Sequence, residues 1–211
     1  MFGPAMTPPG HRRWLDTMSS SHLSDPSDPS DDVLLAAYAV GDTGAATPLA
    51  QRRAPRVLAV AVRMLNDLAE AEDVTQEALM RLWRIAPDWQ PGRAQVSTWL
   101  YRVAANLCLD RLRRRARLTP IAEANDLVDP APAADELLQN EERHRALGAA
   151  LMELPDRQRL AVVLRHVQEL PNPEIADTME ISVEAVESLT ARGRVALSRA
   201  LVGRKEALGY E

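Results

Sequence analysis

The side chains that could do chemistry in this chain are suited to recognition rather than to bond making. At the end of one helical pattern stand Arg111, Arg113, Arg114, Arg115 and Arg117, a density of guanidinium groups that suits phosphate. In the stretch AEDVTQEALMRLWR, residues 71–84, and the Ile85 that follows it, Asp73, Gln76, Glu77, Met80 and Arg84 fall on one side while Val74, Ala78, Leu82 and Ile85 fall on the other. One face packs and the other is on offer. Near the C-terminus, Ser182, Glu184, Ala185, Ser188 and Arg192 open a further helical pattern, with Arg194 beyond and Arg165 upstream able to supply phosphate or guanine contacts. The plainer reading of each charged face is a solvated helix surface, and only their combination argues for more. Enzyme chemistry is not expected. The four histidines, His11, His22, His144 and His166, have no metal-ligand spacing with acids or with Cys108, and there is no glycine-rich phosphate loop or nucleophile motif. No metal and no cofactor is expected.

The elements that must position these residues read as helices throughout. Aromatics are scarce, and no alternating run of Val, Ile, Thr and Tyr is long enough for a sheet, so the fold class is all-α. With 211 residues the chain can form two small helical domains. Residues 32–42 predict a short helix stopped by Gly41, and Leu49 to Leu65 a second. Pro48 lacks a backbone donor and disfavours helix at the residue before it, which puts the start of that second helix at or after Thr47, with looser packing there. The third is the 71–84 pattern. The fourth has Ser97 and Thr98 as caps and Leu100, Val103, Leu107 and Leu112 along one side. Pro87, Pro91 and Gly92 separate the last two.

Residues 1–31 are rich in Pro, Ser, Asp and Gly without periodicity and are expected to be disordered. Residues 32–117 form the first domain, and residues 118–134, rich in Pro, Ala and acids, a flexible linker. Residues 135–211 form the second domain, with an amphipathic helix to Leu154 and another starting near Pro155. Asn172 as N-cap, Pro173, Ile175, small Ala176, Met179, Ile181, Ser182 as the next N-cap, Val186 and Leu189 then give the spacing of a helix-turn-helix. Its second helix runs from Val183 to about Leu201. The turn carries Glu180 where glycine is usual, at a cost on the order of 1 kcal/mol for the left-handed conformation.

The net charge of −5 alone argues against a nucleic-acid partner. Arginines nevertheless concentrate between Arg102 and Arg117, and acids between Glu123 and Glu142, so the local fields decide. The single cysteine, Cys108, lies in an apolar helical pattern and reads as a small core residue. No apolar run is long enough to span a bilayer and no signal peptide is apparent, so no membrane insertion and a cytoplasmic location are expected.

DVTQEALMRLWR and STWLYRVAANLCLDRLRRR resemble region 2 of the extracytoplasmic-function (ECF) sigma factors of bacterial RNA polymerase. LPDRQRLAVVLRHV with SVEAVESLTARGRVAL resembles their region 4, so that the resemblance covers Asp32 to about Leu201. The resemblance implies a core-polymerase partner, with Asp73, Gln76, Glu77 and Met80 docking on the β′ clamp helices and the second domain reaching the β flap. It implies a minus-ten promoter strand at Trp99, Arg102, Asn106, Asp110, Arg113 and Arg114, with Trp89 to Thr98 as the loop that holds an unstacked base. It places minus-35 duplex at Arg165, Ser182, Glu184, Ala185, Ser188, Arg192 and Arg194. In the second domain PNPEIA and SVEAVES look closest to alphaproteobacterial members called sigma-E, which act in stress responses. An anti-sigma factor, zinc-binding in some cases, is the further partner implied; the zinc would be the partner's.

Two other readings use the same residues. A dimeric helix-turn-helix regulator would need only the C-terminal half for DNA, and a helical scaffold would need neither the arginine cluster nor the recognition helix. Binding to polymerase separates the first reading from both.

Overall fold

A computed structural model describes residues 28–118 and 145–202, and their regular structure is entirely helical. Helix α1 spans Asp31–Ala39, α2 Ala46–Leu65, α3 Leu68–Ile85 and α4 Val96–Leu118. A helix over 145–152 follows as α5. Then come α6 (Asp156–His166), α7 (Asn172–Met179) and α8 (Val183–Val202). The all-α class holds, with α1–α4 and α5–α8 as two helical groups. The expectations for residues 1–27, for 119–134, for the helix start at Asp135 and for His144 lie outside the described residues.

Several boundaries differ from the sequence reading, each for a local reason. Asp31 belongs to α1, where it is buried and paired with Arg52 at 2.9 Å and with Arg53. The described helix α2 begins at Ala46, one residue before the expected limit, and follows a 3-10 turn over Thr43–Ala45. Pro48 is tolerated because the N–H groups of a first turn have no intrahelical acceptor. Packing there is not loose, since Ala45 and Leu49 are buried. Ser97 and Thr98 do not cap α4; the helix already starts at Val96, both are buried in its first turn, and the preceding loop therefore ends at Gln95. Asn172 is the first residue of α7 rather than its cap, a place taken by Pro171. Its side chain instead donates to Glu187 Oε1 at 3.4 Å, joining α7 to α8.

Other punctuation agrees with the residues present. Gly41 has φ +103 after α1, a conformation that strains any side chain. Asn66 ends α2 in the left-handed region, its N–H donating to Val62 O at 2.8 Å. Asp67 then caps α3 by accepting from the Glu70 N–H at 2.9 Å.

In the first group Leu49, Val57, Val60 and Met64 of α2 are buried with Val74, Ala78 and Leu82 of α3 and with Leu100, Ala104 and Cys108 of α4. Small Ala61, Ala71 and Ala105 are buried there too. In the second group Leu160, Val163 and Leu164 of α6 are buried with Ile175 of α7 and Val186 of α8. Each such Leu, Ile or Val contributes about 1.5–3 kcal/mol by leaving water. The two sets join in one continuous apolar core.

Candidate nucleic-acid and polymerase interface

The outward face of α3 is built as expected. Val74, Ala78 and Leu82 are fully buried, while Asp73, Gln76 and Met80 are exposed and Glu77 is half-buried beside Arg81, with which it pairs. Met80 is 53% exposed, an apolar side chain among acids.

On α4, Trp99, Arg102, Asn106, Asp110 and Arg113 recur at steps of three and four, which gives one stripe about 20 Å long. Asn106, Asp110, Arg113 and Arg114 are exposed, and Asp110 pairs with Arg113. Trp99 is half-buried and meets Trp89 edge-on, with ring centroids 6.2 Å apart. Trp89 Nε1 donates to Asp32 Oδ1 at 2.9 Å, so α1 fixes the start of the loop. Beyond it Gln90, Pro91, Gly92 and Arg93 are exposed, the Arg93 N–H donates to Gln90 O at 3.3 Å, and Gly92 has φ +82.

The arginine cluster is not uniform. Arg115 turns inward, reaching Glu70 Oε1 at 2.8 Å, Asp67 Oδ2 at 3.5 Å and Leu65 O at 3.1 Å, where it closes the end of α2 against the start of α3. It is therefore a brace between helices rather than part of a phosphate surface. Cys108, a core residue as expected, is fully buried, and burial pushes its thiol up to about 12.

The helix-turn-helix has the expected geometry at its turn. Glu180 is left-handed at φ 53 and ψ 49, the Ile181 N–H returns to Ala176 O at 3.1 Å, and Ser182 Oγ accepts from the Ala185 N–H at 3.2 Å. Ser182, Glu184, Ser188 and Arg192 are exposed along α8, with Ala185 half-buried beside them. Hydrogen bonds from the backbone of Glu184 itself and from Ser182 hold the Glu184 carboxyl below its usual range. Arg192 Nε donates to Ser188 O at 3.2 Å, which lays it along the helix. Arg194 is exposed but does not share that face, since two residues turn an α-helix by about 200°. Arg165 is exposed and donates to Leu170 O at 2.9 Å, bracing the turn before α7.

One residue escaped the sequence reading. Arg159, only 3% exposed, donates to Leu151 O at 2.9 Å, Met152 O at 3.2 Å, Leu154 O at 3.1 Å and Met64 O at 2.7 Å, and lies 3.3 Å from Asp156. Burial lowers its pKa and Asp156 opposes that shift. Its period was a usable signal: Arg159 stands three and four residues before Val162 and Val163, on the apolar side of α6.

Comparison with known proteins now adds to the geometry. Residues 49–118 match the Sigma-70 region 2 family and residues 144–197 the Sigma-70 region 4 family. The ECF RNA polymerase sigma factor SigE of Mycolicibacterium smegmatis is 37% identical over 191 residues, covering 84% of this chain and 73% of that relative. The chain belongs to the ECF sigma factors. Like them it is an alternative sigma factor, a factor of transcription initiation. A second ECF sigma factor, SigM of Mycobacterium tuberculosis, is 36% identical over 172 residues, with 82% of this chain and 85% of the relative covered. Among solved structures, CnrH in complex with the cytosolic domain of CnrY has a TM-score of 0.61 at 28% identity, covering 83% of this chain and 99% of that one. The sigma factor RpoE in complex with the anti-sigma factor NepR, from Bartonella quintana, has a TM-score of 0.59 at 20% identity, over 74% of this chain and 95% of that one; this shares the fold. Among the described residues of this ECF sigma factor no helix is long and apolar enough to cross a membrane, and no group of three or more His, Cys, Asp or Glu could hold a metal ion.

Proposed function

We propose that this ECF sigma factor docks on core RNA polymerase through Asp73, Gln76, Glu77 and Met80, and that promoter DNA is read by two separate surfaces. The observation that carries this is the sidedness of α3, whose exposed acids and Met80 stand opposite a fully buried Val74, Ala78 and Leu82. A face kept out of its own core and studded with an exposed methionine suits a partner helix. The β′ clamp helices are that partner, and the second group engages the β flap.

The α4 stripe takes the displaced minus-ten strand. Trp99 and Trp89 offer π-faces beside an open loop, on which an unstacked base can rest, while Arg102, Arg113 and Arg114 face phosphate and Asn106 and Asp110 face base edges. The α8 face of Ser182, Glu184, Ala185, Ser188 and Arg192 enters the major groove of the minus-35 element, with Arg165 at its edge. Arg194 serves a phosphate at most, given its side of the helix. Glu184, held ionised, accepts from a base donor such as cytosine N4.

Control falls to an anti-sigma factor; CnrH, 28% identical to this chain, is likewise found in complex with another protein's cytosolic domain, that of CnrY. Such a partner covers the α3 face, the α8 face, or both, and any zinc in the complex belongs to it. The work is done in the cytoplasm, beside polymerase, in response to stress.

Replacing Asp73, Gln76 and Glu77 together by Ala tests the docking face. Binding to core polymerase from the native cell is expected to fall to background with an unchanged melting temperature. A collapse of the fold, or polymerase binding at the original strength, would refute the assignment.

A further inference from the structure

Helix α1 is fastened to the bundle by residues on either side of Asp32. The buried Asp31 accepts from Arg52 Nη1 at 2.9 Å and pairs with Arg53, both on α2. Leu34 and Leu35 are buried, and Tyr38 lies against Trp83 of α3 with ring centroids 4.9 Å apart. These contacts attach α1 without any help from Asp32, which is half-buried beside the pinned Asp31. Its one long-range bond is of another kind. Asp32 Oδ1 accepts the Trp89 indole N–H at 2.9 Å, across 57 positions of chain.

Trp89 stands where the chain leaves helix for loop. Its backbone N–H donates to Ala86 O at 3.2 Å, closing the 3-10 turn over Ala86–Asp88, and its ψ of 129 then sends the chain out as extended backbone. The ring itself could turn about two side-chain torsions. Two contacts remove that freedom: the N–H is tied to Asp32, and the ring meets Trp99 with 86° between the planes. In an edge-on pair the ring that presents its edge keeps both faces clear of the other, and a clear face is what a stacking base needs. Trp99 is as firmly placed, because Val96, Ser97 and Thr98 in the first turn of α4 are buried. The loop thus has an indole fixed at its entry and another at its exit, with residues 90–93 exposed between them.

Resting on the minus-ten reading above, we propose that Asp32 is a positioning residue for base capture, orienting Trp89 so that the Trp89–Trp99 pair offers a ready-made stacking surface to one unstacked base of the promoter strand. Asp32 touches no DNA itself. The ring is ordered before the strand arrives, so the base does not bear that cost on binding. A helix outside both the arginine cluster and the loop thereby sets how well single strand is held.

The test uses the full chain assembled with core polymerase. Its probe is the set of single-stranded DNA sequences that the parent assembly enriches from a pool randomised at every position. Asp32→Ala is expected to weaken retention of that set by about fivefold or more, the lower end of what one base–aromatic stack is worth, with melting temperature and core-polymerase binding unchanged. Trp89→Phe, which keeps a ring and loses the N–H, is expected to weaken it likewise. Because the two residues act as one unit, Asp32→Ala is expected to add nothing in the Trp89→Phe background. Asp32→Asn, whose amide oxygen still accepts, is expected to retain the set as the parent does. Parent-like retention by Asp32→Ala, additive losses in the double variant, or a loss that Asp32→Asn shares overturns the proposal. A drop in melting temperature or polymerase binding with Asp32→Ala would mark a brace of the fold instead, and overturns it too. A parent assembly that enriches no sequence beyond core polymerase alone refutes the minus-ten reading itself, and the proposal with it.

Discussion

Arg159 holds four backbone carbonyls that no apolar residue could serve. Arg159→Leu is expected to cost about 3 kcal/mol or more, because buried acceptors would be left without a donor, whereas Arg157→Leu, at an exposed position on the same helix, should stay within about 0.5 kcal/mol. Urea denaturation of the two variants checks the contrast. Recognition residues behave differently from such a brace. Arg192→Ala should weaken minus-35 duplex binding by about 1–3 kcal/mol if the contact is bidentate to guanine, and Asn106→Ala should leave that affinity alone while lowering open-complex formation. Equal effects of both changes in both assays would contradict the division. At this scale apolar identity was legible from sequence, down to Cys108, and exposure of the charged faces followed from it. The destination of each arginine was not, because Arg115 looks in sequence like any residue of a basic run, and the Leu65 and Met64 carbonyls that claim Arg115 and Arg159 lie 50 and 95 residues away.

The helix-turn-helix shows how far local pattern reaches at the level of elements. Its small residue, its two apolar contacts, its Ser182 cap and the left-handed Glu180 were all readable, since each is set by neighbours within a few residues. The caps at Ser97, Thr98 and Asn172 were misread because a side chain able to cap is as easily used elsewhere, here buried or turned to Glu187. Pro48 and Pro55 both lie within α2, the first at no cost to hydrogen bonding and the second on an exposed side where a helix can bend. Gly193 was passed over, yet a Cβ there would lie 2.6 Å from Val162 Cγ2 and 3.2 Å from Gln158 O, so α6 and α8 cross where only hydrogen fits. Gly193→Ala gains about 1 kcal/mol of helix propensity but overpacks the crossing by about 1–3 kcal/mol. A net loss of stability is the expected outcome in thermal denaturation, with a matching loss of duplex affinity only at temperatures near the transition.

For the whole molecule, the two DNA-reading surfaces proposed above make a prediction that a dimeric regulator does not share. Once both groups are seated on one polymerase their separation is fixed, so lengthening the promoter spacer by about half a turn, near 5 base pairs of the ~10–10.5 per turn, should abolish run-off transcription while the chain's affinity for minus-35 duplex stays constant. Transcription independent of spacer length would count against the proposal. The division into two helical groups was visible in composition, but their contact was not: Arg159 and Met64 stand 95 residues apart, and nothing within a short window encodes such a pairing. That separation also has a consequence in time. A chain emerging at ~5–20 residues per second completes α4 several seconds before α7 is made, so the first helical group meets the cell with Arg102, which in the finished chain donates to Asp177 O of α7, uncovered and Met64 O bare. Contact between the two groups is then an event of the finished chain, and a nascent one passes through an interval in which the first group stands alone.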